Sequence, residues 1–132
     1  MEKIKIVSGR SHPALAQKIT RLLKVPFVPI EIQTFADGEI YVRIKEKVRG
    51  DDIFVIQSFS SHINEHLMEL LIIIDALRRS SVEKINVVCP YLGYSRQDRK
   101  VVSREPITAK LVANLITKAG ASRILTVDLH AD

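Results

Sequence analysis

Apolar positions along this chain follow two rhythms in turn. Short runs rich in β-branched residues, IKIVS (Ile4 to Ser8), VPIEI, EIYVRI, DIFVIQ, INVVC and RILTVDL, alternate with segments of helical spacing from Ser11 to Leu23, Asn64 to Arg79 and Pro106 to Ala119. Such alternation predicts an α/β domain built on a mainly parallel sheet. IKIVS, DIFVIQ, INVVC and ILTVDL are apolar almost throughout, as strands are when helices cover both faces of their sheet. Between EIQTF and EIYVRI the pair Asp37-Gly38 predicts a tight turn, and with it an additional DG-tipped β-hairpin.

The punctuation agrees with these elements. Ser11 precedes Pro13 as an N-cap would, Pro106 falls where a first-turn proline is tolerated, and Gly120 follows the last periodic residue of its helix. Between Leu67 and Leu77 the segment HLMELLIIIDALRR is apolar on almost every side, so this helix is expected to be central or packed against another subunit. No internal repeat, low-complexity tract or linker interrupts the pattern.

Composition narrows the class without naming a task. A length of 132 residues suits one domain, and 46% apolar residues with interspersed charge suit a soluble globular one. The sequence holds no run of about eighteen apolar residues, and MEKIKIVSG passes straight into a strand pattern, so neither a membrane span nor a signal peptide is expected and the cytoplasm is the expected location. The one cysteine, Cys89, lies in an apolar run and reads as a buried small hydrophobe. A formal charge of +5 favours anionic partners. With three Tyr, four Phe and no nucleic-acid motif, nucleic acid is not the expected one; phosphorylated metabolites fit as well.

Three constellations could carry chemistry. From Tyr91 to Glu105, after INVVCP, the chain gathers Arg96, Arg99, Lys100 and Arg104 against Asp98 and Glu105. Guanidinium groups beyond the carboxyl end of a strand would bind phosphate oxygens, while a solvated loop with internal salt bridges is the plainer alternative. In TFADGEIYV, Asp37 and Gly38 are explained by a turn alone; yet Phe35, with Asp37 and Glu39 beside it, could stack on a base and accept hydrogen bonds from a ribose or an amino group. In VDLHAD, strand geometry puts Asp128 and His130 on one face, where they could meet a hard cation such as Mg2+ or simply pair with each other. The turn in VSGRSHPALA is a generic anion site without the P-loop pattern, and His12, His62 and His66 sit at helix beginnings with no zinc-type spacing.

Taken in order and spacing, FADGEIYVRI, VRGDDIFVIQS, LMELLIIIDALRRSS, PYLGYSRQDRK, PITAKLVANLI and VDLHAD resemble the N-terminal half of ribose-phosphate diphosphokinase, also called phosphoribosyl pyrophosphate synthetase. The likeness runs through essentially the whole chain. It implies a phosphoribosyltransferase-like N-terminal domain over residues 1–132 and transfer of the β,γ-diphosphoryl group of ATP to the 1-hydroxyl of ribose 5-phosphate, with Mg2+. Carried over by position, the resemblance implies that Phe35, Asp37, Gly38 and Glu39 contact the base and ribose of ATP, from a neighbouring subunit. Arg96 and Gln97 would line the nucleotide site with Asp98 and Arg99 beside them, and Asp128 and His130 would mark the metal.

The same resemblance implies a homo-oligomer, a hexamer in the full-length family, and a second α/β half that supplies the ribose 5-phosphate loop and a catalytic lysine. The expectation is therefore a nucleotide-binding half with no catalytic residue of its own and little synthetase activity alone; a non-catalytic regulatory or assembly subunit of the same fold is the alternative. Lys47, Arg49, Ser80 and Ser81 would be donors to a regulatory phosphate or ADP, although Ser80 and Ser81 are also explained as the end of the long helix.

Overall fold

A computed structural model describes residues 3–128. In chain order the elements are β1 (Ile4–Ser8), α1 (Pro13–Leu23), β2 (Ile30–Thr34), β3 (Ile40–Ile44), β4 (Asp52–Ile56), α2 (Ile63–Arg79), β5 (Lys84–Tyr91), α3 (Thr108–Ala119) and β6 (Arg123–Asp128). The four continuously apolar runs form one parallel sheet in the order β1-β4-β5-β6, with Val7 opposite Val55, Val55 opposite Val87 and Val87 opposite Ile124. Along β1's outer edge the Ile6 N–H donates to Pro26 O at 2.9 Å and the Val28 N–H to Ile6 O at 2.8 Å. No described helix is long and apolar enough to cross a membrane.

Alternation along the strands divides the core in two. On one face Val7, Ile53, Val55, Ile85, Val87 and Cys89 pack with Leu70, Ile73, Ile74 and Leu77 of α2 and with Val112 and Ile116 of α3. Full burial of each large aliphatic side chain there stabilises the fold by about 1.5–3 kcal/mol. On the other face Ile6 and Ile56 meet Ala16 of α1, with Phe54 and Val88 beside them. The two-faced cover predicted from the apolar runs is present, but it thins at β6, where Leu125 is 44% and Val127 87% exposed.

Helix α2 is the central element that its apolar composition suggests. It buries Glu69, Leu70, Ile73, Ile74 and Leu77, and leaves Met68 about half exposed. Strands β2 and β3 stand apart from the main sheet as an antiparallel hairpin, Ile30 opposite Ile44 and Thr34 opposite Ile40. Their half-buried Ile30, Ile32, Val42 and Ile44 lie against the α2 side of the core. At the tip Gly38 has φ 98°, a conformation that a residue with a Cβ adopts only under strain.

Two helix starts differ from the sequence expectation. His12, not Ser11, caps α1, its Nδ1 accepting the Leu15 N–H at 3.3 Å. Ser11 is drawn inward instead, its hydroxyl donating to Gln57 Oε1 at 2.6 Å. Helix α3 begins at Thr108 with Ile107 at its cap, so Pro106 precedes the helix and is not in its first turn. Gly120 ends α3 as expected, with φ 137° and its N–H directed at the Ile116 and Thr117 carbonyls.

Candidate functional site

Parallel strands bring their carboxyl ends to one edge of the sheet, and loops beyond that edge are where ligands meet an α/β fold. The residues after β1 and β4, the start of α2, the hairpin tip and the loop after β5 all converge there. That last loop is anchored at its root by Gly93: a Cβ there would stand 2.6 Å from Ile63 Cγ2 and 2.8 Å from Phe59 Cδ2. Tyr94 follows with φ 70°, and its hydroxyl donates to the Asn64 carboxamide oxygen on the first turn of α2. The Gln97 N–H donates to Tyr94 O at 2.9 Å, and Gln97 O accepts the Ala109 N–H at 2.9 Å, which fastens the loop to α3.

The charged side chains of this loop face outward. Arg96, Gln97, Asp98, Arg99 and Lys100 are all exposed. Arg96 and Gln97 line a cleft of about 300 Å3 together with His62, Asn64, Tyr91 and Tyr94. Among the described residues none forms an ion pair with Arg96, Arg99, Lys100 or Arg104. The internal salt bridges of the plainer reading are therefore missing from the described residues, and the loop's guanidinium groups present an open positive field.

The hairpin tip closes on itself by three hydrogen bonds: the Phe35 N–H to Glu39 O at 2.8 Å, the Gly38 N–H to Phe35 O at 2.9 Å, and the Glu39 N–H to Asp37 Oδ1 at 3.1 Å. Phe35 is half exposed, its ring 6.3 Å from that of Tyr41. Gly38 and Glu39 line a second cleft, about 440 Å3, with Ile40, Asn64, Glu65 and Met68. Asn64 borders both clefts, so tip and cationic loop flank the same turn of α2. Phe35, Asp37, Asp98 and Arg99 stand outside these two clefts.

Beneath the tip lies a polar network that the sequence reading did not find. Glu69, 2% exposed, accepts the Arg10 N–H on Oε2 at 2.7 Å and Arg10 Nε on Oε1 at 2.7 Å. Gln57 Nε2 donates to Glu69 Oε2 at 2.9 Å, while Gln57 Oε1 accepts the Ser11 N–H at 3.2 Å. Arg10 Nη2 reaches Thr34 Oγ1 at 2.7 Å. The backbone donors of Arg10 and Ser11 that made VSGRSH resemble a generic anion site are thus already engaged by side chains. A glutamate inside the apolar run LMELLIII was the available signal, because a carboxylate on a buried helix face needs partners.

The remaining candidates fall elsewhere. Asp128 ends β6 at the same carboxyl edge, its backbone opposite Tyr91, and His130 lies outside the described residues. A hard cation that shares phosphate oxygens takes only one or two carboxylates from a protein, a donor type that Asp128 offers. Among the described residues no group of three or more His, Cys, Asp or Glu could hold a metal ion. Lys47, Arg49 and Ser81 are exposed at the opposite, amino edge of the sheet, where the Gly50 N–H donates to Ser81 O at 2.9 Å. Ser80 Oγ donates to Ala76 O at 2.8 Å and so finishes its own helix.

Comparison with known proteins gives this arrangement relatives. Residues 4–120 match the family model of the N-terminal domain of ribose phosphate pyrophosphokinase. The chain is 59% identical over 130 residues to the ribose-phosphate pyrophosphokinase of Clostridium perfringens, a match covering 98% of this chain and 41% of that protein. It is 61% identical over 128 residues to that of Bradyrhizobium diazoefficiens, covering 97% of this chain and 40% of the relative. The crystal structure of phosphoribosylpyrophosphate synthetase from Mycobacterium smegmatis superposes with a TM-score of 0.96 at 47% identity, over 99% of this chain and 44% of that one. The chain therefore spans about two fifths of the length of the curated relatives it matches.

Proposed function

We propose a function from one premise: the chain belongs to the family of N-terminal domains of ribose phosphate pyrophosphokinase. It acts as the ATP-binding part of an enzyme that transfers the diphosphoryl group of ATP to ribose 5-phosphate, forming phosphoribosyl pyrophosphate and AMP. The observation that carries this reading is the loop after β5, where exposed Arg96 and Gln97 line a cleft at the carboxyl edge and the loop's cations are unpaired among the described residues. Diphosphoryl transfer asks a protein mainly to position the substrate and to neutralise charge, which such a loop is suited to do.

Arg96 and Arg99 hold phosphate oxygens, Gln97 orients the nucleotide, and the Asp98 carboxylate offsets part of the repulsion between the loop's cations. Phe35 stacks on the adenine, with Asp37 and Glu39 accepting from the ribose or the amino group and Gly38 permitting the turn. These tip residues serve a neighbouring copy in a homo-oligomer. Asp128 and His130 are the proposed ligands to Mg2+, which when bound neutralises phosphate oxygens. The ribose 5-phosphate contacts and the catalytic lysine belong to a second domain, so residues 1–132 alone turn over little substrate. Lys47, Arg49 and Ser81 form a secondary anion site at the amino edge, the Ser80 hydroxyl being committed to its own helix, and the cytoplasm is the proposed location.

The test is calorimetric titration of the chain with ATP and Mg2+. Phe35→Ala and Arg96→Ala are each expected to weaken binding by roughly tenfold, the weight of one stacked base or one charge-assisted contact. Unchanged affinity in both variants would sink the proposal.

A further inference from the structure

We infer that Arg10 is a positioning residue for the hairpin tip, an inference that rests on the nucleotide reading of Phe35, Asp37 and Glu39. Arg10 stands just beyond β1, and its guanidinium divides its hydrogen bonds between two elements. Nε donates to Glu69 Oε1 on α2 at 2.7 Å, and Nη2 donates to Thr34 Oγ1 at 2.7 Å. Thr34 is the last residue of β2 and the chain neighbour of Phe35. Glu69 is itself immobilised by the Arg10 N–H and by Gln57 Nε2, at 2.7 and 2.9 Å. One end of the tether is therefore fixed where β1, β4 and α2 meet, and the other holds the root of the tip.

The hairpin's other attachments are of a different kind. Ile30, Ile32, Val42 and Ile44 pack against the core. Apolar burial opposes separation but has no preferred direction, so it leaves the tip able to rock. A cleft of about 170 Å3, bounded by Arg10, Thr34, Gly38, Glu65, His66 and Glu69, provides the space for that motion. The directional Arg10–Thr34 bond removes it. Arg10 serves Glu69 and Thr34 from two different nitrogens of one rigid plane, whereas a lysine carries all three of its donors on a single nitrogen and matches that separation less well.

The experiment uses the 132-residue chain and three variants, Thr34→Val, Thr34→Ser and Arg10→Lys, with Phe35→Ala as the control for nucleotide contact. Hydrogen exchange is followed at the Phe35 and Gly38 amides, whose hydrogen bonds close the tip, and at Val55 and Val87 in the sheet. Thr34→Val and Arg10→Lys are expected to speed exchange at the tip by roughly five- to tenfold, the weight of one net hydrogen bond, with the sheet unchanged. Affinity for ATP with Mg2+ should fall by a similar factor, and Thr34→Ser should restore both. Unaltered tip exchange in Thr34→Val overturns the tether. Faster exchange with undiminished ATP affinity, while Phe35→Ala still weakens binding, overturns the positioning role and leaves the nucleotide reading standing. If neither Phe35→Ala nor Thr34→Val affects ATP, the nucleotide reading fails and the positioning role falls with it.

Discussion

Gln57 occupies the space that a side chain on Gly9 would need: a Cβ there would lie 2.1 Å from Gln57 Oε1. The carboxamide is held in that place by Ser11 and Glu69, so it cannot yield without breaking bonds on both sides. Gly9→Ala is therefore expected to destabilise the fold by about 2–4 kcal/mol, from overpacking and lost hydrogen bonds together. A shift of the urea midpoint with unchanged slope would register it; a shift under about 0.5 kcal/mol would contradict the close approach.

Glu69 is the acceptor on which the network turns. In Glu69→Ala the Arg10 N–H and guanidinium and the Gln57 amide lose their common partner in a buried place, which costs about 2–4 kcal/mol. Glu69→Gln keeps the volume but directs an amide donor at donors, and should recover only part of the loss. Thermal unfolding of the two variants side by side makes the distinction.

At Gly93 the neighbours are the side chains of Ile63 and Phe59, both within 2.8 Å of an added Cβ. Gly93→Ala is expected to lift the root of the cationic loop and to cost about 1–3 kcal/mol in stability. Because the loop carries Arg96 and Gln97, its ATP affinity should fall by roughly tenfold even at temperatures where the variant is fully folded. Normal affinity in a folded variant would separate the loop's root from the nucleotide site.

Burial pushes the Cys89 thiol up to about 12 from an ordinary value near 9, and its Sγ donates to Tyr91 O at 3.0 Å. The folded chain should resist iodoacetamide at pH 8 and react only as fast as it opens. The raised folded value favours the neutral thiol, so its stabilisation is complete below about pH 9 and is lost as pH rises towards 12, at up to about 1.4 kcal/mol per pH unit. Cys89→Ala should lack that component of the alkaline slope in chemical denaturation.

Much of this architecture was legible because continuous apolar runs such as DIFVIQ and INVVC can be little else than buried strands beside helices, and Asp37-Gly38 can be little else than a turn. The helix starts misled where a residue had two possible uses. Ser11 has good capping chemistry, but Gln57 claims its hydroxyl and leaves the cap to His12. Likewise the network of Arg10, Gln57, Glu69 and Thr34 joins positions far apart in the chain, which no local pattern encodes. The motifs FADGE and YSRQDRK were visible from the start, whereas the openness of the loop's cations depends on which carboxylates the fold carries near them.

The strand order also governs how the chain can assemble. Ile4 of β1 pairs with Asp52, so β1, which is synthesised before β4, has no partner on its inner side until β4 follows. Pro26 to Val28 close its outer side early, which leaves one sticky edge to wait. By contrast β4, α2 and β5 are consecutive and can collapse locally, a course that short loops favour. β1 should therefore dock after strands that are synthesised later, and slowed translation across residues 30–50 would lengthen the interval in which β1 can find the wrong neighbour.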